Sequence, residues 1–255
     1  MPRWMRGLVG LVGFLALWEL VSRTGLVRRE FLPPPSEVGA RLGELVASDA
    51  AFRADVLATL LAWLIAIGLA TAIAVPVGLV LGQVEFLRRA TQTLVEFLRP
   101  IPSVALIPLA VVLLGSGPSS KISLAVYASV WPILFNTVYA LGEIEPQRIE
   151  AARSFGLKRM AVLRRVALPS AAPFVMTGIR LSAAIALIVV VTTELLTGGQ
   201  GGGLGQFITI ARSGGGAMDV VLAGALTAGI IGYVVNFGLE RAQRQWLGWS
   251  EEVGR

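Results

Sequence analysis

Glu150-Ala151-Ala152-Arg153-Ser154-Phe155-Gly156, continuing through Leu157-Lys158-Arg159-Met160-Ala161-Val162-Leu163-Arg164-Arg165-Val166-Ala167 to Leu168-Pro169, is a basic island in an otherwise apolar chain. Apolar runs at about 121–141 and about 169–196 border it. Each is long enough to cross a hydrocarbon core of about 30 Å, which takes ~20 helical residues. A charged segment of this length between two membrane spans implies a docking point outside the bilayer.

Working outward, four more runs read as spans, at about 7–22, 55–82, 101–115 and 218–240. The 255 residues are 55% hydrophobic and 15% charged, against about 25% charged in a soluble domain. The alternating pattern of a membrane barrel is absent. The fold class is therefore all-α: a single polytopic domain over 1–255 with about six transmembrane helices, in contact with the lipid bilayer. The first run resembles a signal peptide, but Glu19 interrupts its end and no small-x-small cleavage site follows, so it is read as a retained helix.

Charge sets orientation. With the N-terminus cytoplasmic, the inner segments carry about twice as many Lys and Arg as the outer ones, which places both termini inside. The net charge of +6 follows from this loop bias, and no nucleic-acid partner is expected. The chain has no Cys and no His, so the commonest metal ligand and general base are missing. No enzyme activity and no cofactor are expected.

The outer loop at about 23–54 opens with Pro33-Pro34-Pro35. Ser36 is a candidate N-cap for a short helix at about 37–48, with Val38, Leu42 and Leu45 on one face. That helix is expected on the outer membrane surface or against other spans. Gly198–Gly205 lacks the Gly-Lys-Ser/Thr ending of a phosphate loop and follows no strand; it is read as a flexible outer loop.

The basic island, about 142–168, reads as a helical hairpin. Pro146 suits a first helical position, and Gly156 supplies the left-handed geometry that ends a helix. A second short helix is expected at about 158–166. Ile149, Ala152 and Phe155 approximate an apolar stripe, while Arg148 and Glu150 leave it.

This segment resembles the EAA signature of permease subunits of ATP-binding-cassette importers. Glu150, Ala151, Ala152, Gly156, Val166, Leu168 and Pro169 fill its positions, with Val166 where isoleucine is usual. Phe31-Leu32-Pro33-Pro34-Pro35-Ser36, Arg99-Pro100-Ile101-Pro102 and Gly203-Leu204-Gly205 resemble the nitrate/sulfonate/taurine branch. The resemblance implies a coupling helix, with Glu150, Ala151, Ala152, Gly156, Leu168 and Pro169 at the contact with a cytoplasmic ATPase. It also implies a second permease copy, an extracytoplasmic solute-binding protein and a place in the plasma (inner) membrane. The implied solutes are small anions such as sulfonate, taurine or nitrate. Relatives also carry pyrimidine vitamin precursors, and a secondary transporter or channel is the rival class.

Polar residues inside spans are costly and face protein or water. Arg180 and Glu194 share a face of the fifth span but lie about 21 Å apart along its axis. They are candidates for a pathway wall; the alternative has Arg180 snorkelling or paired and Glu194 at the interface. Asn136 in the fourth span is a candidate for the pathway or for hydrogen bonding between helices.

Overall fold

In the structure, a computed structural model describing residues 3–98, 100–198, 201–215 and 218–247, the regular elements are helices. They are α1 (Arg3–Arg23), α2 (Pro35–Ser48), α3 (Ala50–Gln83), α4 (Glu85–Leu98), α5 (Ile107–Leu114), α6 (Pro118–Gly142), α7 (Pro146–Ser154), α8 (Arg159–Val162), α9 (Leu168–Thr197), α10 (Leu204–Ser213) and α11 (Met218–Leu247). A 3-10 turn, Ser103–Leu106, precedes α5, and a π-helical turn, Leu163–Ala167, leads into α9. Five helices are long and apolar enough to cross a membrane, or six if one bent pair counts as a span.

That bent pair corrects the span expected at 101–115. Twelve helical residues, 103–114, cover only ~18 Å at 1.5 Å each, too short for a core of about 30 Å. Arg89–Leu98 and Ser103–Leu114 instead meet at 75°. The cause is Pro100 and Pro102. Each lacks an N–H, and Pro102 also disfavours helical geometry at Ile101 before it. The amphipathic α4 and the short α10 were not anticipated from the apolar runs.

The chain divides into two compact units. The first comprises 1–59 and 194–231. Its core is Val38, Leu45, Phe52, Leu204 and Ala223, and Phe52 meets Phe207 edge-on at 4.9 Å. Thus α2 packs against other helices through Val38 and Leu45. It begins two residues earlier than expected because Pro35 takes a first-turn position and Pro34 the cap. Ser36 is therefore no N-cap. Its N–H and hydroxyl both donate to the Glu19 carboxylate (3.1 and 2.8 Å), which Arg23 also meets.

The second unit comprises 60–193 and 232–255. Its helices approach closely through small residues, the usual solution where lipid removes the hydrophobic drive between helices. A Cβ on Gly78 would fall 2.7 Å from Thr137, and one on Gly82 would fall 2.5 Å from Leu141, so α3 lies tight against α6. A Cβ on Gly178 would fall 3.0 Å from the Ile133 backbone, which brings α9 onto α6. Ser182 Oγ donates to Ser129 O (2.7 Å), and Trp63 Nε1 donates to Ala183 O (2.9 Å). The Ser182 hydroxyl and the Trp63 N–H at these crossings are thereby satisfied.

Candidate functional site: the basic hairpin and the polar residues of the spans

Helix α7 ends in a Schellman motif. Gly156 takes φ +79°, its N–H donates to Arg153 O (2.8 Å), and Leu157 N–H donates to Ala152 O (3.2 Å). Both bonds capture carbonyls that the helix leaves open, and the chain reverses in three residues. The second helix expected at 158–166 divides into α8 and the π-helical turn, which runs directly into Leu168 and Pro169 of α9.

The hairpin has two faces. Ala152, Val162 and Ala167 are buried. Val162 and Ala167, with Ile149 and Arg153, line a cavity of about 220 Å³ beside Gly82 and Leu141, at the ends of α3 and α6. The other face is exposed and carries Glu150, Ala151, Ser154 and Lys158. Phe155 is 88% exposed, which corrects the stripe expected through Ile149, Ala152 and Phe155. Steps of three residues drift by about 60° per step on a 3.6-residue helix, so the third member has left the buried side. An exposed phenylalanine on a basic, otherwise polar surface is an apolar anchor without a ring or cation partner among the described residues.

The structure gathers Glu150, Ala151, Ala152 and Gly156 on one short hairpin. Leu168 and Pro169 start the next span, half-buried. The in-span candidates are scattered. Asn136 Nδ2 donates to Pro132 O one turn back (2.8 Å), at the proline inside α6. Arg180 Nη1 donates to Gln243 Oε1 (3.0 Å), and Nη2 lies 3.7 Å from Glu240 Oε2, so its charge is met by α11.

Glu194 is 3% exposed. It receives the Thr59 hydroxyl (2.9 Å) and the Gly205 N–H (3.1 Å). Leu204 N–H donates to Thr59 Oγ1 (2.9 Å) and Gly203 N–H to Asp55 Oδ1 (2.7 Å). Within the stretch 198–205, Gly203, Leu204 and Gly205 are buried and tied, which corrects the flexible-loop reading for these residues; Gly199 and Gln200 lie outside the described residues. Sequence reasoning missed Asp55 and Thr59. Their only signal was a polar residue at the start of an apolar run.

Comparison with known proteins places these features. The family described as binding-protein-dependent transport system inner membrane component matches residues 74–245. The taurine transport system permease protein TauC of Escherichia coli (strain K12) is 32% identical, over 95% of this chain and 89% of its own. The bicarbonate transport system permease protein CmpB of Synechocystis sp. (strain ATCC 27184 / PCC 6803 / Kazusa) is 28% identical over 92% and 86%. Among solved structures, a chain of the MetNI methionine ABC transporter in an inward-facing conformation superposes with a TM-score of 0.65. It is 25% identical, and the match covers 76% of this chain and 95% of that one. An all-helical, multi-pass chain with an EAA-type hairpin, matched over most of its length by transport permeases, belongs to the binding-protein-dependent inner-membrane permeases of ATP-binding-cassette importers.

Proposed function

We propose that two copies of this chain form the pathway of an importer for a small anion of the sulfonate, taurine or bicarbonate kind, and that α7 is where a cytoplasmic ATPase grips each copy. The solute class rests on the names of the relatives. The grip rests on one observation: the hairpin's inner face is packed while Glu150, Ala151 and Phe155 stand exposed on a surface closed by a rigid Schellman turn. Such a surface suits a groove that accepts a short helix end-on. Phe155 fills an apolar pocket, Glu150 meets a cation, and the small Ala151 allows close approach.

The mechanism is then a two-state shift. ATP draws the ATPases together, the two hairpins follow, and the spans attached to them rock. Hydrolysis, supplied by the ATPases, reverses the motion. In this reading both termini and the hairpin are cytoplasmic, and the solute arrives on an extracytoplasmic binding protein. Asn136 supports the proline bend in α6. Arg180 ties α9 to α11.

Glu150→Arg reverses the charge on the exposed face. Gly156→Val forces a β-branched residue into positive φ, which it resists. Both variants are expected to insert into the membrane normally, to lose co-purifying ATPase, and to lower uptake more than tenfold in a strain lacking the native chain. Retention of ATPase and of uptake by both would refute the grip.

A further inference from the structure

The EAA-like segment closes on Leu168 and Pro169, yet both are half-buried at the start of α9, outside the hairpin's exposed face. Pro169 acts instead on the backbone before it. In an α-helix the Leu168 N–H would donate to Arg164 O, and the N–H of residue 169 to Arg165 O. Proline has no N–H, and its ring crowds the carbonyl four residues back, here that of Arg165. The Leu168 N–H donates to Leu163 O, five residues back. The result is the π-helical turn Leu163–Ala167, one residue longer than an α turn. The two carbonyls that lose their α-helical donors belong to Arg164 and Arg165, which are exposed and within reach of water.

The π-turn decides what the hairpin buries. Val162 and Ala167 are both 7% exposed, and both line the cavity beside Gly82 and Leu141. They stand five positions apart in sequence. On a helix of 3.6 residues per turn that separation is about 140°, so the two could not face the same spans. The bond from residue i to i+5 in a π-turn draws such positions back toward one line. The turn thereby fixes how the hairpin is rotated against α9, and with it the direction in which Glu150 and Phe155 are presented.

We infer that Pro169 is a positioning residue for coupling: it holds an extra residue in the turn before α9 and so sets the rotation of the ATPase-facing helix α7. This rests on the grip at α7 proposed above. Without the proline, the turn relaxes to α geometry. That changes the register by one residue, about 100° of rotation. The hairpin then presents a different set of side chains to the same cleft.

The test uses the full transporter, purified in detergent through a tag on the permease. The chain has no cysteine, so Val162→Cys and Ala167→Cys each report burial toward a bulky maleimide, read on the permease band. Arg165→Cys is the exposed standard. With Pro169 in place, both buried positions are expected to be protected. In Pro169→Ala at least one becomes as reactive as the standard, because the two positions turn apart. The same variant retains about tenfold less ATPase, the factor that ~1.4 kcal/mol of lost contact supplies. Deleting Arg164 from the Pro169→Ala chain leaves the two positions four apart, about 40° on an α-helix. That deletion is expected to restore both protection and ATPase, which a proline that only stabilised the fold would not allow. Pro173→Ala, inside the α-helical run of α9, stays native in both readouts.

Protection of both cysteines in Pro169→Ala, or equal losses in Pro173→Ala, overturns the positioning role. So does a deletion chain that stays exposed and without ATPase. If Pro169→Ala exposes a cysteine yet keeps its ATPase, Glu150→Arg separates the two readings. Loss of ATPase in Glu150→Arg overturns this role alone; retention there overturns the grip and this role with it.

Discussion

Gly156 and Gly203 both hold positive φ, +79° and +131°, yet the two glycines serve opposite purposes. At Gly156 an added Cβ would meet nothing within 4 Å, and the residue turns the chain in open space at an exposed surface. At Gly203 the same atom would fall 2.1 Å from Glu194 Oε1. There the glycine lets a backbone N–H row close on a buried carboxylate. One region is built from neighbours in sequence and faces outward. The other is built from distant segments and faces inward. Exposure with local bonding marks a surface made to meet another molecule, whereas burial with long-range bonding marks one that fixes its own chain.

The comparison is broken most sharply by topology. The chain contains no cysteine, so single substitutions give labelling without background. Ser154 beside Gly156 and Ser213 at the tip of α10 are both exposed. In intact cells an impermeant thiol reagent is expected to label Ser213→Cys and to leave Ser154→Cys untouched until the membrane is opened. Labelling of Ser154→Cys from outside would remove the hairpin from the cytoplasm and end the ATPase reading.

The next largest effect separates the two glycines by stability. Alanine at Gly156 carries only backbone strain, about 1–2 kcal/mol for the left-handed region. Alanine at Gly203 is strained as well and also drives Glu194 from the Thr59 hydroxyl and the Gly205 N–H, each lost buried hydrogen bond costing about 1–3 kcal/mol more. Thermal aggregation of the detergent-solubilised chain should show a much lower midpoint for Gly203→Ala than for Gly156→Ala. Equal midpoints would mean that the polar network around Glu194 contributes no more than a turn does.

The same contrast explains what the sequence discloses. The long spans are visible because bilayer thickness demands about 20 apolar residues, and α9 falls within a residue of its expected ends. The hairpin is visible because Pro146 and Gly156 each act on the backbone within a turn of their own position, one starting α7 and the other ending it. The break before α5 has its cause in plain view at Pro100 and Pro102, but an apolar count passes over prolines. The α10 helix is hidden because glycine at its start argues for a loop until the side chains that receive its N–H groups are known. Thr59 and Glu194 stand 135 positions apart, and no local pattern pairs them.

The smallest effect concerns Arg180, which lies between the two extremes: partly buried like the network around Glu194, charged like the hairpin. Its side chain is 28% exposed and that of Glu240 is 33% exposed. The attraction between them is therefore partly screened and worth about 1 kcal/mol or less. Glu240 is also met by Arg244, so removing Arg180 does not leave that carboxylate alone. In Arg180→Gln the side chain is two bonds shorter and uncharged, so the tie between α9 and α11 through Gln243 and Glu240 weakens. The expected result is a small drop in the yield of assembled transporter, with uptake per assembled complex and its half-saturating solute concentration unchanged. A pathway role makes the reverse prediction: full yield with a raised half-saturating concentration, because a guanidinium that binds an anionic solute in bidentate fashion has no substitute in an amide. That result would move Arg180 out of the packing of α9 on α11 and into the translocation path.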